Sequence, residues 1–222
     1  MIKIKNITKL YKENRSEKFY ALKDINLTIH KGSLNILYGE SGSGKSTLLS
    51  IIAAITKPTS GKINVNGENI SSYNDFFASR YREKSIGFVT QEFHLFNSLN
   101  LEENIAIALS LSNFSSQEIL QKVHQVAKRL HIFHKLKSKV STLSGGEKQR
   151  CIIARAIINE PKIILCDEPT ANLDKENSSK FIDILTQLKQ MNKTIIVATH
   201  DSIFETLSIV DNRYHIKDGK IE

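Results

Sequence analysis

The stretch Gly39–Thr47, GESGSGKST, constrains the fold more than any other part of the chain. It follows the apolar run LNILY and opens STLLSIIAAI, whose length and pattern predict a helix. A Gly-rich loop between a buried strand and a helix N-terminus is a phosphate cradle. Its glycines let successive backbone N–H groups converge on phosphate oxygens, and the helix end adds partial positive charge. Lys45 supplies a point charge for the β and γ phosphates, Ser46 a hydroxyl for Mg2+, and Thr47 a further phosphate contact. The four fixed positions arise by chance in about one chain in 100 of this length, before the flanking strand and helix are counted. The loop therefore predicts a nucleoside triphosphate site in an α/β fold.

The surrounding pattern agrees. KIKNITKLY, INLTIH, LNILYG, KINVNG and IGFVTQ read as strands, making the part up to about Gln91 strand-rich, with Pro58 and Gly61 punctuating the end of the first helix. In SSQEILQKVHQVAKRL, Ile119, Leu120, Val123, Val126, Ala127 and Leu130 recur at helical spacing, and Ser115 and Glu118 form a capping-box pattern. Strands return at KIILCDE. TIIVATH is a near-continuous apolar run, as expected of a parallel strand covered on both faces. Asp218-Gly219 predicts a terminal hairpin. The expectation is an α/β core interrupted by a helical insert.

Two further segments carry chemistry. KIILCDEPT puts Asp167 at the end of an apolar strand, where a carboxylate can hold the Mg2+ shell. Glu168 is next in the chain, and strand alternation keeps it from duplicating that role. Pro169 predicts extended backbone at Glu168, whose carboxylate is placed to orient and deprotonate a water aimed at the γ-phosphate. In LSGGEKQR, Ser144 and Glu147 have capping-box spacing, with Gly145 and Gly146 in the first helical turn. Glycine is a poor helix former, so a pair of them costs stability that close approach of an anion would explain. One chain would then carry two phosphate-binding edges, and the economical arrangement is two copies head to tail.

The net charge of +8 is spread along the chain without a basic block or interleaved aromatics, so no nucleic-acid partner is expected. A basic face toward anionic lipid is the better use of that charge. Cys151 and Cys166 lie in apolar surroundings and read as buried reduced thiols. The start has no signal-peptide core, and the longest apolar run, Leu48–Ile55, is too short to cross a bilayer. The expected location is cytoplasmic, peripheral on the inner face of the membrane through another subunit.

The phosphate loop, LSGGE, LCDEPT, ANLD and ATHD, in that order over essentially the whole chain, resemble the ATP-binding cassette (ABC) family. The resemblance implies one ATP-binding domain over residues 1–222. It would have a P-loop NTPase (RecA-like) core over about 1–91 and 160–222, an antiparallel β-subdomain, and a helical subdomain over about 92–159. Gly39, Glu40, Ser41, Gly42, Ser43, Gly44, Lys45, Ser46 and Thr47 match the Walker A loop. Tyr11 matches the aromatic that stacks on adenine. Gln91 matches the glutamine that reaches Mg2+ and the attacking water. Ser144, Gly145 and Gly146 match the signature that touches the partner copy's γ-phosphate. Asp167 and Glu168 match the Walker B aspartate and catalytic glutamate, Asp174 the D-loop at the dimer seam, and His200 the switch histidine, here ending an apolar strand.

Within the family the chain looks similar to the branch of lipoprotein-release, macrolide-export and antimicrobial-peptide-resistance ATPases. This implies an ATPase using ATP and Mg2+ as a homodimer beside a transmembrane permease, with export or efflux as the expected direction and Glu92, Phe93, Leu95 and Phe96 among the permease contacts. The cell-division ATPase is of similar build, so a non-transporting signalling motor is the alternative. Two departures stand out: Glu40 occupies a position where small residues are usual, and KSKVSTLSGG lacks the common Pro and Gln. Chromosome-maintenance members insert long coiled coils, whereas 51 residues separate Gln91 from Leu143 here. Translation-associated members carry two cassettes, and this chain has one.

Overall fold

The computed structural model describes residues 1–12 and 18–222; the segment 13–17, part of the polar start of the chain, lies outside the described residues. Strand β1 (Ile2–Lys12) pairs antiparallel with β2 (Lys18–Ile29) on one side and β4 (Ser60–Val65) on the other. With β5 (Glu68–Asn69) they form a sheet of order β2-β1-β4-β5. Its buried face carries Ile2, Ile4, Ile7, Leu22, Ile25, Leu27 and Ile29.

The second sheet holds the site. It contains β3 (Leu34–Tyr38), β6 (Ile86–Val89), β7 (Ile163–Asp167), β8 (Thr194–Thr199), β9 (Asn212–Lys217) and β10 (Lys220–Ile221), in the order β10-β9-β3-β8-β7-β6. All neighbours pair parallel except β10, which folds back antiparallel on β9. Side chains alternate between two cores. Ile36, Ile164, Cys166, Ile195 and Val197 enter one; Leu37, Ile163, Leu165, Ile196 and Ala198 enter the other. Burial on both faces explains why these strands read as unbroken apolar runs.

Each core is closed by helices. On one face α1 (Lys45–Ile52) packs between the two sheets. On the other lie α3 (Leu101–Ala106), α4 (Ser116–Arg129), α5 (Gly145–Ile157) and α6 (Lys175–Gln190). Helix α5 touches α3, α4 and strand β6, so one apolar cluster runs from the sheet into the helices. The capping boxes expected at Ser115/Glu118 and Ser144/Glu147 are both formed.

Three elements differ from the sequence expectation. Helix α1 stops at Ile52, short of STLLSIIAAI, because Ala54 turns left-handed at φ 52° and the last carbonyls find outside donors. Tyr81 Oη donates to Ile52 O at 3.2 Å and Arg82 Nη1 to Ala54 O at 2.7 Å. Those donors sit on α2 (Asp75–Ser85), a helix inside the strand-rich part; it buries only Ala78 and so shows no apolar stripe. Strand β2 begins at Lys18, well before INLTIH, because β1 supplies its partner along most of that length.

The terminal hairpin turns at Asp218 (φ 48°) and Gly219 (φ 75°), with Lys217 opposite Lys220. It is pinned to the phosphate loop: Gly219 N–H donates to Ser43 O at 3.1 Å, and Gly219 O accepts from Lys23 N–H at 2.7 Å. Both cysteines are buried and unpaired, Cys151 in α5 and Cys166 in β7. Burial pushes the Cys151 thiol up to about 12 and raises the Cys166 thiol as well. Among the described residues no helix is long and apolar enough to cross a membrane.

The short 3₁₀ turn Ser202–Phe204 anchors the segment after β8. Phe204 is fully buried there, and Asp201 is tied to Thr170 Oγ1 at 2.7 Å. Phe204→Ala is expected to cost about 3–5 kcal/mol of stability, read from denaturant unfolding midpoints.

Candidate functional site

The parallel register sets the site, because β3, β7 and β8 end together: Tyr38 pairs with Thr199, and Asp167 with Ala198. The residues just past each strand end therefore meet at one edge, where open α/β sheets bind ligands. After β3 comes the loop, whose exposed part is Glu40, Ser41 and Gly42, with Ser43 buried beneath. Gly44 sits at φ 108° as the N-cap of α1, and a Cβ there would lie 2.3 Å from Ala21 O. Only glycine permits that close approach. The first-turn amides of α1 are left without intrahelical partners beside an open loop surface, the arrangement that receives an anion.

Lys45 is 5% exposed, and its ammonium donates to Gly39 O at 2.7 Å and Glu40 O at 3.0 Å. Glu168 Oε1 lies 3.5 Å from the same ammonium and 3.0 Å from His200 Nδ1. The second Glu168 oxygen accepts from the His200 backbone N–H at 3.3 Å. Ser46 Oγ donates to Asp167 Oδ1 at 2.9 Å. Lys45, Ser46, Asp167, Glu168 and His200, five of the residues singled out in the sequence, thus form one constellation.

The expectation of extended backbone at Glu168 is corrected: it adopts φ 43°. Its N–H still donates to Ala198 O at 2.8 Å, while its carboxylate turns back to Lys45 and His200. Those tertiary bonds outweigh the preference Pro169 imposes, as strained backbone at functional sites commonly requires.

Asp167 and Ser46 fit a hard divalent cation. Burial raises the Asp167 pKa, and the Glu168 charge adds to that, against the Ser46 hydrogen bond and the Lys45 charge. A cation beside this oxygen pair would offset the cost of burying the carboxylate. Among the described residues no group of three His, Cys, Asp or Glu side chains could hold a metal. Mg2+ is the ion suited to such a site, since it takes one or two protein oxygens together with substrate phosphates.

The other candidates lie apart from this constellation. Ser144 caps α5, accepting from Glu147 N–H at 3.3 Å, and Ser144 and Gly145 are exposed. No hydrogen bond or ion pair among the described residues joins 144–146 to the loop 39–47 in the same chain. The reason for glycine at 146 is corrected: a Cβ there would sit 2.2 Å from Asn177 Oδ1, so packing within the chain explains it. At Gly145 the nearest atom to a Cβ is Asn172 O at 3.6 Å, leaving that position open outward. Asp174 caps α6 through Asn177 N–H at 2.8 Å, which holds its carboxyl below the usual range. Gln91 is exposed, and its backbone carbonyl accepts from Asn172 Nδ2 at 3.2 Å. Tyr11 stacks on Phe19 at 5.6 Å, with Lys9 Nζ 4.8 Å from its ring. Thr47 is half-buried in α1. A cavity of about 370 Å³ lies against Gly39–Ser43, with His215, Lys217 and Asp218 across it; Lys45, Ser46 and Glu168 do not line it.

Several connecting residues carry no motif of their own in the sequence. Buried Gln149 donates from Nε2 to Pro169 O at 3.0 Å, and Arg155 Nη1 to His94 O at 2.9 Å. Both extend from α5, one toward Glu168 and one toward the segment after Gln91. Their signal lies in LSGGEKQRCIIARAI: a polar residue and a cation on an otherwise apolar helix face.

A family model described as "ABC transporter" matches residues 22–171. The chain is similar to the "Uncharacterized ABC transporter ATP-binding protein YknY" of Bacillus subtilis (strain 168), 38% identical and covering all of this chain and 95% of that one. It is 37% identical to the "Lipoprotein-releasing system ATP-binding protein LolD" of Wigglesworthia glossinidia brevipalpis, covering all of this chain and 96% of that one. Among solved structures, the dimeric post-hydrolysis state of the ATP-binding cassette MJ0796 bound to ADP and Pi superposes with a TM-score of 0.91 at 36% identity. That match covers all of this chain and 97% of the other. Clostridium perfringens cbiO1, part of the cbiONQ complex, gives 0.86 at 32% identity, covering all of this chain and 86% of that one.

Asp167→Asn separates the cost of the site from its use. A raised carboxyl pKa means that ionisation costs the folded state stability at neutral pH, and less as pH falls toward the ordinary aspartate value of about 3.9. In magnesium- and nucleotide-free buffer the variant should melt higher than the parent at pH 7, with the gain shrinking toward pH 4. Its ATP hydrolysis should fall by about 100-fold or more.

Proposed function

The chain belongs to the ABC transporter family and is an ATPase, and from that premise we propose a nucleotide clasped between two copies, with Mg·ATP on the loop 39–47 of one and Ser144–Gly146 of the other. The observation carrying this reading is that Glu40–Gly42 of the loop and Ser144–Gly145 at the start of α5 are both exposed yet unconnected within one chain. A head-to-tail homodimer brings each edge to the other copy's loop. The dimeric cassette structures, similar over the full length of this chain, support the arrangement.

In this reading the loop amides and the α1 N-terminus hold the phosphates, and Lys45 exchanges its bonds to Gly39 O and Glu40 O for phosphate oxygens. Tyr11 stacks on adenine. Ser46 and Asp167 would hold Mg2+, with Gln91 reaching the same region, and the ion would supply positive charge against that developing on the γ-phosphate. Glu168 takes a proton from the attacking water. His200, 3.0 Å from Glu168 Oε1, keeps that carboxylate aimed and contacts the γ-phosphate. Asp174 lies at the seam between copies. Because the γ-phosphate touches both copies, its binding energy favours closure and its loss permits reopening.

A separate transmembrane permease takes up the motion, through the helical unit over about 92–159 and the half-exposed or exposed Phe93, Leu95 and Phe96. In this reading the chain works on the inner face of the membrane. Similarity to lipoprotein-releasing system proteins supports export as the direction.

Glu168→Gln should keep ATP binding, lower turnover by about 100-fold or more, and form a dimer with Mg·ATP visible by size exclusion. Turnover at the parental rate would remove Glu168 from its role. A variant that binds ATP yet stays monomeric would remove the two-copy site.

A further inference from the structure

Asp174 and Gly146, assigned to the seam and to the second phosphate edge, are joined inside one chain by a single side chain. Asn177 sits in the first turn of α6. Its Nδ2 lies 3.0 Å from both Asp174 oxygens, and its Oδ1 faces Gly146 and lies 3.4 Å from Arg150 Nη1 on α5. Helix capping alone does not call for this. The cap uses only the Asn177 backbone N–H, which any residue but proline supplies. The side-chain bonds are additional, and asparagine suits them because one amide donates toward a carboxylate while its oxygen accepts from a guanidinium.

Glycine at 146 is the complement of that amide. Any Cβ would lie 2.2 Å from Asn177 Oδ1 and 3.1 Å from Nδ2, so the amide would have to leave Asp174, Arg150 or both. The space enclosed by Gly146, Gln149, Arg150, Leu173, Asn177 and Phe181 is only about 10 Å³. That holds no more than a water, so the contact is an internal joint and not a ligand site. The Arg150 guanidinium has no carboxylate partner among the described residues, and its Nε is buried without a hydrogen-bond partner. The Asn177 oxygen is therefore its polar anchor.

We propose that Asn177 is a positioning residue that locks the Asp174 turn to the Ser144–Gly146 helix start, so that both reach the partner copy as one rigid edge. This rests on the two-copy reading under Proposed function. A rigid edge lowers the ordering cost of association without touching the nucleotide, so its loss weakens dimerisation and leaves the single-chain ATP site intact.

The test compares Glu168→Gln with Glu168→Gln/Asn177→Asp, and with Asn177→Leu in the same background. Aspartate keeps the shape but sets a carboxylate against Asp174, and leucine removes both polar contacts. Dimerisation with Mg·ATP is followed by sedimentation. Binding of a fluorescent ATP analogue is measured below the dimerisation range, and melting temperature is recorded alongside. The expected result is dimerisation weakened about 10-fold by either substitution, with analogue affinity within about twofold of the parent. Dimerisation equal to that of the Glu168→Gln parent would overturn the lock and leave the two-copy reading standing. Equal losses of analogue affinity and dimerisation would also overturn it, because the residue would then serve the fold at large. A Glu168→Gln parent that remains monomeric with ATP overturns both.

Discussion

The buried ammonium of Lys45 is the interaction on which the site's architecture turns. Removing a cation from water costs several kcal/mol unless close acceptors replace the solvent. Here they are Gly39 O, Glu40 O and the Glu168 carboxylate, supplied by the ends of two strands. Their convergence depends on the parallel register that ends β3, β7 and β8 level with one another. That register depends in turn on apolar side chains filling both faces of the sheet. The cation, the strand alignment and the two cores are one problem, solved together.

Helix α5 relates this centre to the remaining candidates. Its start presents Ser144 and Gly145, Gln149 grips the carbonyl of Pro169 beside Glu168, and Arg155 holds the carbonyl of His94 three residues beyond Gln91. The 91–94 segment is thus tied to the last turn of α5, and the same helix is tied through Gln149 to the turn that follows Glu168. Because these contacts are backbone-directed, they constrain where the chain runs and leave the exposed side chain of Gln91 clear, while the His94 ring turns back on Glu92.

Much of this is legible in the residues. The loop 39–47 names its own strand and helix, both capping boxes are written at i and i+3, and unbroken apolar runs announce strands buried on two faces. The features that stay hidden have physical causes. Helix α2 buries a single alanine and so leaves no periodic trace. The left-handed turn at Glu168 answers to Lys45 and His200, residues distant in sequence, against the local preference of Pro169. Gly146 advertises a missing side chain but not what fills the gap, and a residue 31 positions away, Asn177, supplies it. Local chemistry predicts local geometry; bonds made across the fold leave no such mark.

The two thiols have a consequence of their own. Cys151 lies in α5 and Cys166 one residue before Asp167, both sealed within the same apolar cluster. Alkylating reagents attack thiolates that solvent can reach, and neither sulfur meets that condition while the cluster is closed. Each cysteine thus serves as a native reporter of breathing: labelling at 151 records separation of the helical layer, and labelling at 166 records opening of the central sheet. Comparing the two rates would rank which layer loosens first, with no foreign probe introduced.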